Sequence, residues 1–587
     1  MPEYLAPGVF MEEVSYRAKS IEGVSTTTTG FVGPARFGPT AGVPELVTSY
    51  AEFEATYGDD GDIAGARNFL AFGVRAFFEQ GGKRLYVSRV ADNGAARAKA
   101  ALTNAQNPPT ITARHPGEYG EFIVRIRLDA DADLVNGTHT VGLRAHDVVL
   151  VTPKDKDATW REVELLSSGA LRVTAGAPAA DAPAFAPDAV PADTKVQLLT
   201  ASLTVTQGGV TIFSAARLAL SKASASASLE RCLDPGENGL SPVMSTAAWK
   251  DLLPALSGHV LGNVNTSTVK LLAADSTETD KGVIAEVQLA DGSDGNVPDE
   301  SAYKGQDADD GPTGLAALEH IPEISIVAAP AAAADAANHA AVCLELITHV
   351  ERMRYRVAVL DAADDKDSEA RKLRAGMDST RAALYFPWVK IADPAGPGTL
   401  AVPPSGFVAG IYARNDINRG VWKAPANEVV LGALGFSRPV NTGRQEVLNP
   451  LGINCLRSFE GRGHRVWGGR TMSSDPEWKY LNVRRYFNYL ERSIDIQTQW
   501  AVFEPNSERL WGNVRRTIQD FLLNEFQMGA LLGDKPEAAY FVKCDRSTMT
   551  QNDLDNGRLV VLVGVAAVRP AEFVIFRIGQ WTSDRRS

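Results

Sequence analysis

Cysteine is scarce in this chain: four residues in 587, at positions 232, 343, 455 and 544. Spaced so widely, they make neither a metal knuckle nor a disulfide-dense secreted scaffold, and reduced, mostly buried thiols made in a cytoplasm are expected. Long apolar runs are missing too. No stretch reaches the ~18 residues of a membrane-spanning helix, and Met1-Pro2-Glu3-Tyr4 is not a basic region leading into an apolar block, so neither membrane insertion nor a cleaved export signal is expected. Positive charge is in deficit, 59 Lys and Arg against 71 Asp and Glu, and the formal charge of -12 argues against direct nucleic-acid binding. The deficit is uneven. Residues 251–330 carry 14 acidic side chains against 3 basic ones, whereas residues 411–520 carry 16 Arg and Lys against 11 Asp and Glu. One part is a solvated acidic surface and another is mildly basic.

Catalytic constellations are absent as well. The eight histidines are scattered, with no H-E-x-x-H and no pair at ligand spacing joined to a carboxylate, so no metal and no cofactor is expected. No G-x-S-x-G elbow exists, and Ser405 before Gly406 has no base near it in sequence. Gly33-Pro34-Ala35-Arg36-Phe37-Gly38-Pro39-Thr40 has the glycine spacing of a phosphate loop but puts Pro39 where the lysine belongs, and a pair of turns is the better reading. Gly461-Arg462-Gly463-His464-Arg465-Val466 opens like a dinucleotide fingerprint and breaks at Val466. Arg462 and Arg465 could hold an anion there, yet an interface loop is preferred. The acidic turns at Asp291-Gly292-Ser293-Asp294-Gly295 and Asp307-Ala308-Asp309-Asp310-Gly311 lack the closing Glu of a calcium loop.

The residues that are present describe a large globular chain. Hydrophobic content of 44% and charged content of 22% fit two to four domains, or a domain with large insertions. The first 22 residues read as an arm, in which the Ala6-Pro7-Gly8 turn precedes a short strand from Val9, Phe10 and Met11 to Val14 with no obvious partner nearby. Phe69, Leu70, Gly73, Val74, Phe77 and Phe78 share one helix face that Gly81-Gly82 ends, and residues 85–90 follow as a strand. Short alternating segments at 111–114, 122–128, 148–151, 163–166, 196–205 and 283–289 suggest a mostly β insertion. From residue 324 the pattern is strand, helix 338–352, strand 356–360, helix 367–377 and strand 382–386, which predicts a mainly parallel sheet covered by helices. Glu504-Pro505-Asn506 opens a helix with an apolar side of Leu510, Val514, Ile518, Phe521, Leu522 and Phe526, and with Arg509 and Arg516 on its outer side and Arg515 beside them. Two β-rich runs, 558–568 and 572–578, close the chain. Between them and the α/β pattern lies the stretch from Pro403 to Thr471, rich in Gly, Pro and Trp, which has the look of a substrate pocket but carries no nucleophile, base or metal set.

A set of ordered motifs gives this stretch another meaning. They are Tyr4-Leu5-Ala6-Pro7-Gly8-Val9, Gly30-Phe31-Val32-Gly33, Phe77-Phe78-Glu79-Gln80-Gly81-Gly82, Gly292-Ser293-Asp294-Gly295, Ala409-Gly410-Ile411-Tyr412-Ala413-Arg414, Gly420-Val421-Trp422-Lys423-Ala424-Pro425-Ala426-Asn427, Asn449-Pro450-Leu451-Gly452-Ile453-Asn454, Val466-Trp467-Gly468-Gly469-Arg470-Thr471, Trp500-Ala501-Val502-Phe503-Glu504-Pro505-Asn506 and Pro570-Ala571-Glu572-Phe573. Together they resemble the sheath proteins of contractile phage tails and contractile injection systems, over roughly residues 1–95 and 290–580.

The resemblance implies an α/β (α+β) sheath core with a mostly β inserted outer domain and extended terminal strand arms. Its divisions would be an arm at 1–22 that donates a strand to a neighbour, core at 23–95, insertion at 96–300, core at 301–568 and a second arm at 569–587. It also implies a structural protein rather than an enzyme, assembled in the bacterial cytoplasm as a helical stack of six-membered rings around an inner tube, with baseplate and terminal cap proteins as further partners. Such a sheath contracts from a metastable extended state and drives the tube through a target envelope. The arm residues would be Val9, Phe10, Met11, Val14, Phe573, Val574, Ile575, Phe576 and Ile578, and Arg509, Arg515 and Arg516 would face the tube. Two other readings compete: a surface-adhesion or receptor-binding protein using the β insertion, and a hydrolase centred on the Trp/Gly-rich region.

Overall fold

The computed structural model describes residues 21–577, apart from 103–108, 155–158, 175–183, 226, 237–238, 248–249, 251, 253–268, 273–282, 310, 364–365 and 576. Two compact units make up the chain, one of residues 1–31, 72–87 and 318–587 and the other of residues 32–71 and 88–317.

In the first unit the short apolar runs become a sheet. Strands Leu85–Arg89, Thr29–Gly33, Ile326–Ala328, Val357–Asp361, Ala382–Phe386, Ile453–Phe459, Gly463–Val466 and Glu428–Val429 lie in that order. From Thr29–Gly33 to Ile453–Phe459 neighbours are parallel, and the last two strands join antiparallel. Val357–Asp361 and Ala382–Phe386 are buried at every position, as expected of parallel strands covered on both faces. Helices His339–Met353 and Asp367–Gly376 occupy the connections, so the predicted alternation is present to within about two residues.

Two long helices depart from the sequence reading. Ser405–Arg419 lies inside the Gly/Pro/Trp-rich stretch and is buried from Ser405 to Ala413, so part of the apparent pocket is core. A helix buried all round has no amphipathic period to read. Its glycines serve close approach: a Cβ on Gly406 would stand 2.5 Å from the Gly73 backbone, and one on Gly410 would stand 2.5 Å from the Phe77 carbonyl. The Ser405 amide and hydroxyl donate to the two oxygens of Asp361 at 2.7 and 2.5 Å, so a carboxylate at the end of a sheet strand caps this helix. Ser405 is therefore the buried first residue of this helix, held by Asp361, rather than a nucleophile. The second unpredicted helix, Leu481–Thr498, buries Arg484, Arg485 and Arg492, and charges at core positions hide its period.

Helix Glu508–Gln527 buries Leu510, Val514, Ile518, Phe521 and Leu522 as expected, together with Trp511. Beneath it Glu525 accepts hydroxyls from Tyr486 at 3.0 Å and Tyr489 at 2.9 Å, which satisfies a carboxylate only 1% exposed.

The second unit is built on an antiparallel sheet in the order Leu171–Val173, Thr159–Leu165, Val148–Thr152, Lys195–Gln207, Ile123–Asp133, Val283–Gln288 and Val269–Leu272, with Val210–Leu218 also paired to Lys195–Gln207. Its core gathers Phe37, Phe122, Val124, Ile126, Leu203, Val205 and Val287. The turns at residues 33–40 do not cradle an anion. Buried Arg89 donates to the carbonyls of Ala35, Gly38 and Pro116 at 2.7–2.8 Å, so the loop presents acceptors where a phosphate site presents N–H groups. Among the described residues no group of three or more His, Cys, Asp or Glu converges as a metal site, and no helix is long and apolar enough to cross a membrane.

Burial fixes the sign of the acid response. It lowers His339 to about 4 and His115 and His349 to about 3, so each stays neutral when folded. The unfolded chain then binds more protons below the ordinary value of 6.5, and stability is lost as pH falls toward 4. Asp361 opposes this, because burial raises it to about 7 and its contribution is lost as pH rises through that value. Asp361→Asn is expected to steepen the acid-side loss of the thermal midpoint, measured by scanning calorimetry between pH 7 and 4.

Candidate subunit interface

Helix Leu481–Thr498 carries the roots of both chain ends in the first unit. On the N-terminal side, the Val24 amide donates to Ser493 Oγ at 3.2 Å and Thr26 Oγ1 donates to Asp416 Oδ2 at 2.6 Å. Arg485 grips Asp416 with both nitrogens, at 3.0 and 2.6 Å, and reaches the Thr26 carbonyl at 3.2 Å. Side-chain exposures of 3% and 2% make this a buried ion pair. Gly23 lies against Tyr489, where a Cβ would fall 2.1 Å from the hydroxyl.

On the C-terminal side, Asn482 Nδ2 donates to the carbonyls of Trp422 at 2.7 Å and Val568 at 3.1 Å. Four residues on, Glu572 receives Arg470 Nε at 2.8 Å and Nη2 at 2.7 Å, Asn449 Nδ2 at 2.8 Å and the Tyr480 hydroxyl at 3.3 Å. Burial pushes this carboxyl up, but Arg470, Asn449 and Lys479 outweigh it and hold it below the usual value. A bidentate guanidinium fixes direction as well as position, so the chain leaves the core at a set angle. Arg470→Ala is expected to cost about 2 kcal/mol in chemical denaturation and to speed tryptic cleavage at Arg569.

A groove of about 1150 Å³ opens beside this clamp. Trp422, Trp467, Gly468 and Gly469 line it, with Arg419 and Arg569 at its rim and Phe573 and Val574 along one side. The stretch that looked like a pocket thus supplies a groove, but no reactive set. His464 contacts Ser458 Oγ at 2.8 Å and the edge of Phe436, not a carboxylate.

The predicted site residues fall in three groups. Val9, Phe10, Met11, Val14, Phe576 and Ile578 lie outside the described residues. Phe573, Val574 and Ile575 are 71%, 69% and 79% exposed, and residues 572–575 form no strand within the chain. The Glu572 clamp holds the backbone at its root, and among the described residues no edge pairs with it. Arg509, Arg515 and Arg516 are exposed on helix Glu508–Gln527; Arg509 and Arg516 lie opposite its buried residues and Arg515 flanks them.

The β-rich run 558–568 contains one strand of a ribbon whose other strand, Tyr540–Lys543, the sequence reading lacks. Strands Tyr540–Lys543 and Leu562–Val565 pair antiparallel and, among the described residues, with no third strand. Phe541, Leu562 and Val563 stand 53%, 50% and 38% exposed on it. A two-stranded ribbon is marginal alone and gains from added strands.

Residues 302–472 match the family model of the phage tail sheath protein central domain, and residues 473–580 that of the phage tail sheath C-terminal domain. A putative prophage major tail sheath protein of Pseudomonas aeruginosa is 27% identical over 243 residues, 40% of this chain and 61% of that protein. The tail sheath protein of Burkholderia phage BcepMu is 30% identical over 193 residues, 31% of this chain and 39% of that protein. The matches therefore span less than two thirds of these relatives. In fold, the chain is similar to the anti-feeding prophage helical sheath in its contracted state, with TM-score 0.51 and 23% identity over 98% of this chain and all of that one. It is likewise similar to a sheath tail protein of Listeria innocua, with TM-score 0.50 and 12% identity over 94% of this chain and 97% of that one. By its residues 302–580, with both sheath domains present in order, this chain belongs to the contractile tail sheath family.

Proposed function

We propose that this chain is a structural, non-enzymatic protomer that polymerises in stacked six-membered rings around an inner tube. It contracts from a metastable extended state to drive the tube through a target envelope. The observation that carries this reading is the open ribbon Tyr540–Lys543 with Leu562–Val565, in the same unit that roots both chain ends on helix Leu481–Thr498. An edge that accepts strands and two ends that can supply them make a chain able to knit itself to its neighbours. In this scheme Val9, Phe10, Met11 and Val14 of one copy, and Phe573, Val574, Ile575, Phe576 and Ile578 of another, extend the ribbon of a third. With the roots held, the segments between root and paired strand take up the movement, so subunits can rearrange without detaching.

No nucleotide is required. A contracted lattice that buries a few hundred Å² more apolar surface per subunit gains several kcal/mol at ~25 cal/mol per Å², repeated over every ring. The proposed places are an assembly made in the bacterial cytoplasm and a phage tail or injection particle, with baseplate and cap proteins at its ends. We assign residues 96–300 to an inserted outer domain, on the strength of the separate β-rich sheet of the second unit.

Electron microscopy of the purified full chain mixed with its tube protein tests the reading. Striated cylinders are expected, and a monomer that never polymerises under varied salt would overturn it. The tube contact is assigned to Arg509, Arg515 and Arg516, whose exposed charges make weak, releasable pairs with carboxylates. Replacing all three by Glu is expected to lower tube-templated assembly by about tenfold or more, read by sedimentation. Unchanged yield would remove this helix from the contact.

A further inference from the structure

Phe503 is the residue that the fold itself leaves unexplained. Its side chain is 103% exposed, beside Val502 at 58%. Its backbone sits at φ 64°, a left-handed conformation that costs an aromatic residue energy. The loop around it is nevertheless fastened: Glu504 N donates to the Ala501 carbonyl at 3.3 Å, while Asn506 accepts from Trp511 Nε1 at 2.6 Å and donates to the Arg558 carbonyl at 3.2 Å. Strain held in place by surrounding bonds, with an aromatic ring presented to solvent, is the form of an interaction anchor.

We propose that Phe503 is a knob that seats in the groove between Trp422 and Trp467 of a neighbouring copy of this chain. This rests on the reading that the chain polymerises. Both parts lie in the first unit. The groove offers aromatic walls, a floor at Gly469 where added side-chain atoms would meet only the Cβ atoms of Ala424 and Ala426 at 3.6 Å, and a volume of about 1150 Å³, ample for an aromatic ring and its neighbours. Asn482, itself 1% exposed, lines the groove and holds an Oδ1 acceptor without a partner, which a backbone N–H of an inserted loop would satisfy.

Charge points the same way. The knob is flanked by exposed Glu504 and Glu508 before Arg509, and the groove rim carries exposed Arg419 and Arg569 beside Glu446. Because knob and groove are different patches, a head-to-tail contact between them propagates from copy to copy, as a helical wall requires.

A photo-crosslinker, p-benzoylphenylalanine, at position 503 of full-length chain assembled with its tube tests this. Irradiation is expected to give a ladder of sheath multimers, with the crosslinked peptide mapping to residues 419–427 or 467–470. Crosslinks to the tube protein, crosslinks elsewhere on the sheath chain, or none in well-formed particles would overturn the knob while leaving the sheath reading intact. In parallel, Phe503→Ala is expected to raise the concentration needed for polymerisation by roughly tenfold or more. Arg419→Glu with Arg569→Glu is expected to weaken polymerisation, and adding Glu504→Arg with Glu508→Arg to restore it. An unchanged threshold for Phe503→Ala, or no rescue by the charge exchange, would also overturn the proposal. Failure of the unaltered chain to polymerise at all would instead count against the sheath reading.

Discussion

Arg485→Ala is expected to cost about 3–5 kcal/mol of stability, the usual penalty for leaving one member of a buried ion pair without its partner. Asp416 would keep only the Thr26 hydroxyl, 2.6 Å away, inside a site where its side chain is 2% exposed. The guanidinium also stacks over Tyr412, with its carbon 4.6 Å from the ring centre, so packing is lost along with charge. Arg485→Lys should recover little, because an ammonium cannot make the two parallel bonds at 3.0 and 2.6 Å or lie flat on the ring. Asp416→Asn added to Arg485→Ala should recover part of the loss, since no bare charge is then left in the core. Differential calorimetry of the four proteins separates these terms. An Arg485→Ala midpoint equal to that of the parent would show that the pair does not anchor the fold. The same substitution releases the Thr26 carbonyl, so limited proteolysis near residues 21–26 should accelerate.

Deletion of residues 1–20 should abolish polymerisation and leave the protomer folded. The cut falls just before Ile21, whose side chain packs with Leu490, Leu510 and Val514, and before the Val24 and Thr26 contacts, so the root stays in place. What goes is the segment assigned to a neighbour's ribbon. At about 1 kcal/mol net for each backbone hydrogen bond, a handful of strand bonds shifts association by several powers of ten. Circular dichroism and the thermal midpoint should match the parent, while sedimentation shows no large species. Polymers formed as readily as before would refute the arm. Loss of fold together with polymerisation would mean that residues 1–20 belong to the core of their own chain.

Much of the α/β core was readable because its signals are local. Ala382–Phe386 and Asp367–Gly376 lie where apolar runs and helical spacing put them, and the apolar stripe of Glu508–Gln527 is visible from five buried positions. Ser405–Arg419 and Leu481–Thr498 were not readable. The first is buried throughout Ser405–Ala413 and the second counts Arg484, Arg485 and Arg492 among its buried residues, so in neither does residue polarity mark the buried face. The interface was legible only in outline. Glu572 stands out in Pro570-Ala571-Glu572-Phe573, but its partner Arg470 lies about a hundred residues away, and no spacing rule links them.

The sequence by itself determined the chemical character of this protein: few histidines and cysteines, no reactive motif, an uneven charge, and the ordered motifs of a sheath. These depend on which residues are present and on neighbours within a few positions. Only the tertiary structure decided where the chain ends are rooted, that Asp361 caps the helix beginning at Ser405, that the Tyr540–Lys543 ribbon has no third strand among the described residues and that Phe503 projects into solvent. Each of those depends on groups brought together, or left without company, by packing between distant segments. Burial, partner and exposure are properties of the folded surface rather than of any stretch of chain.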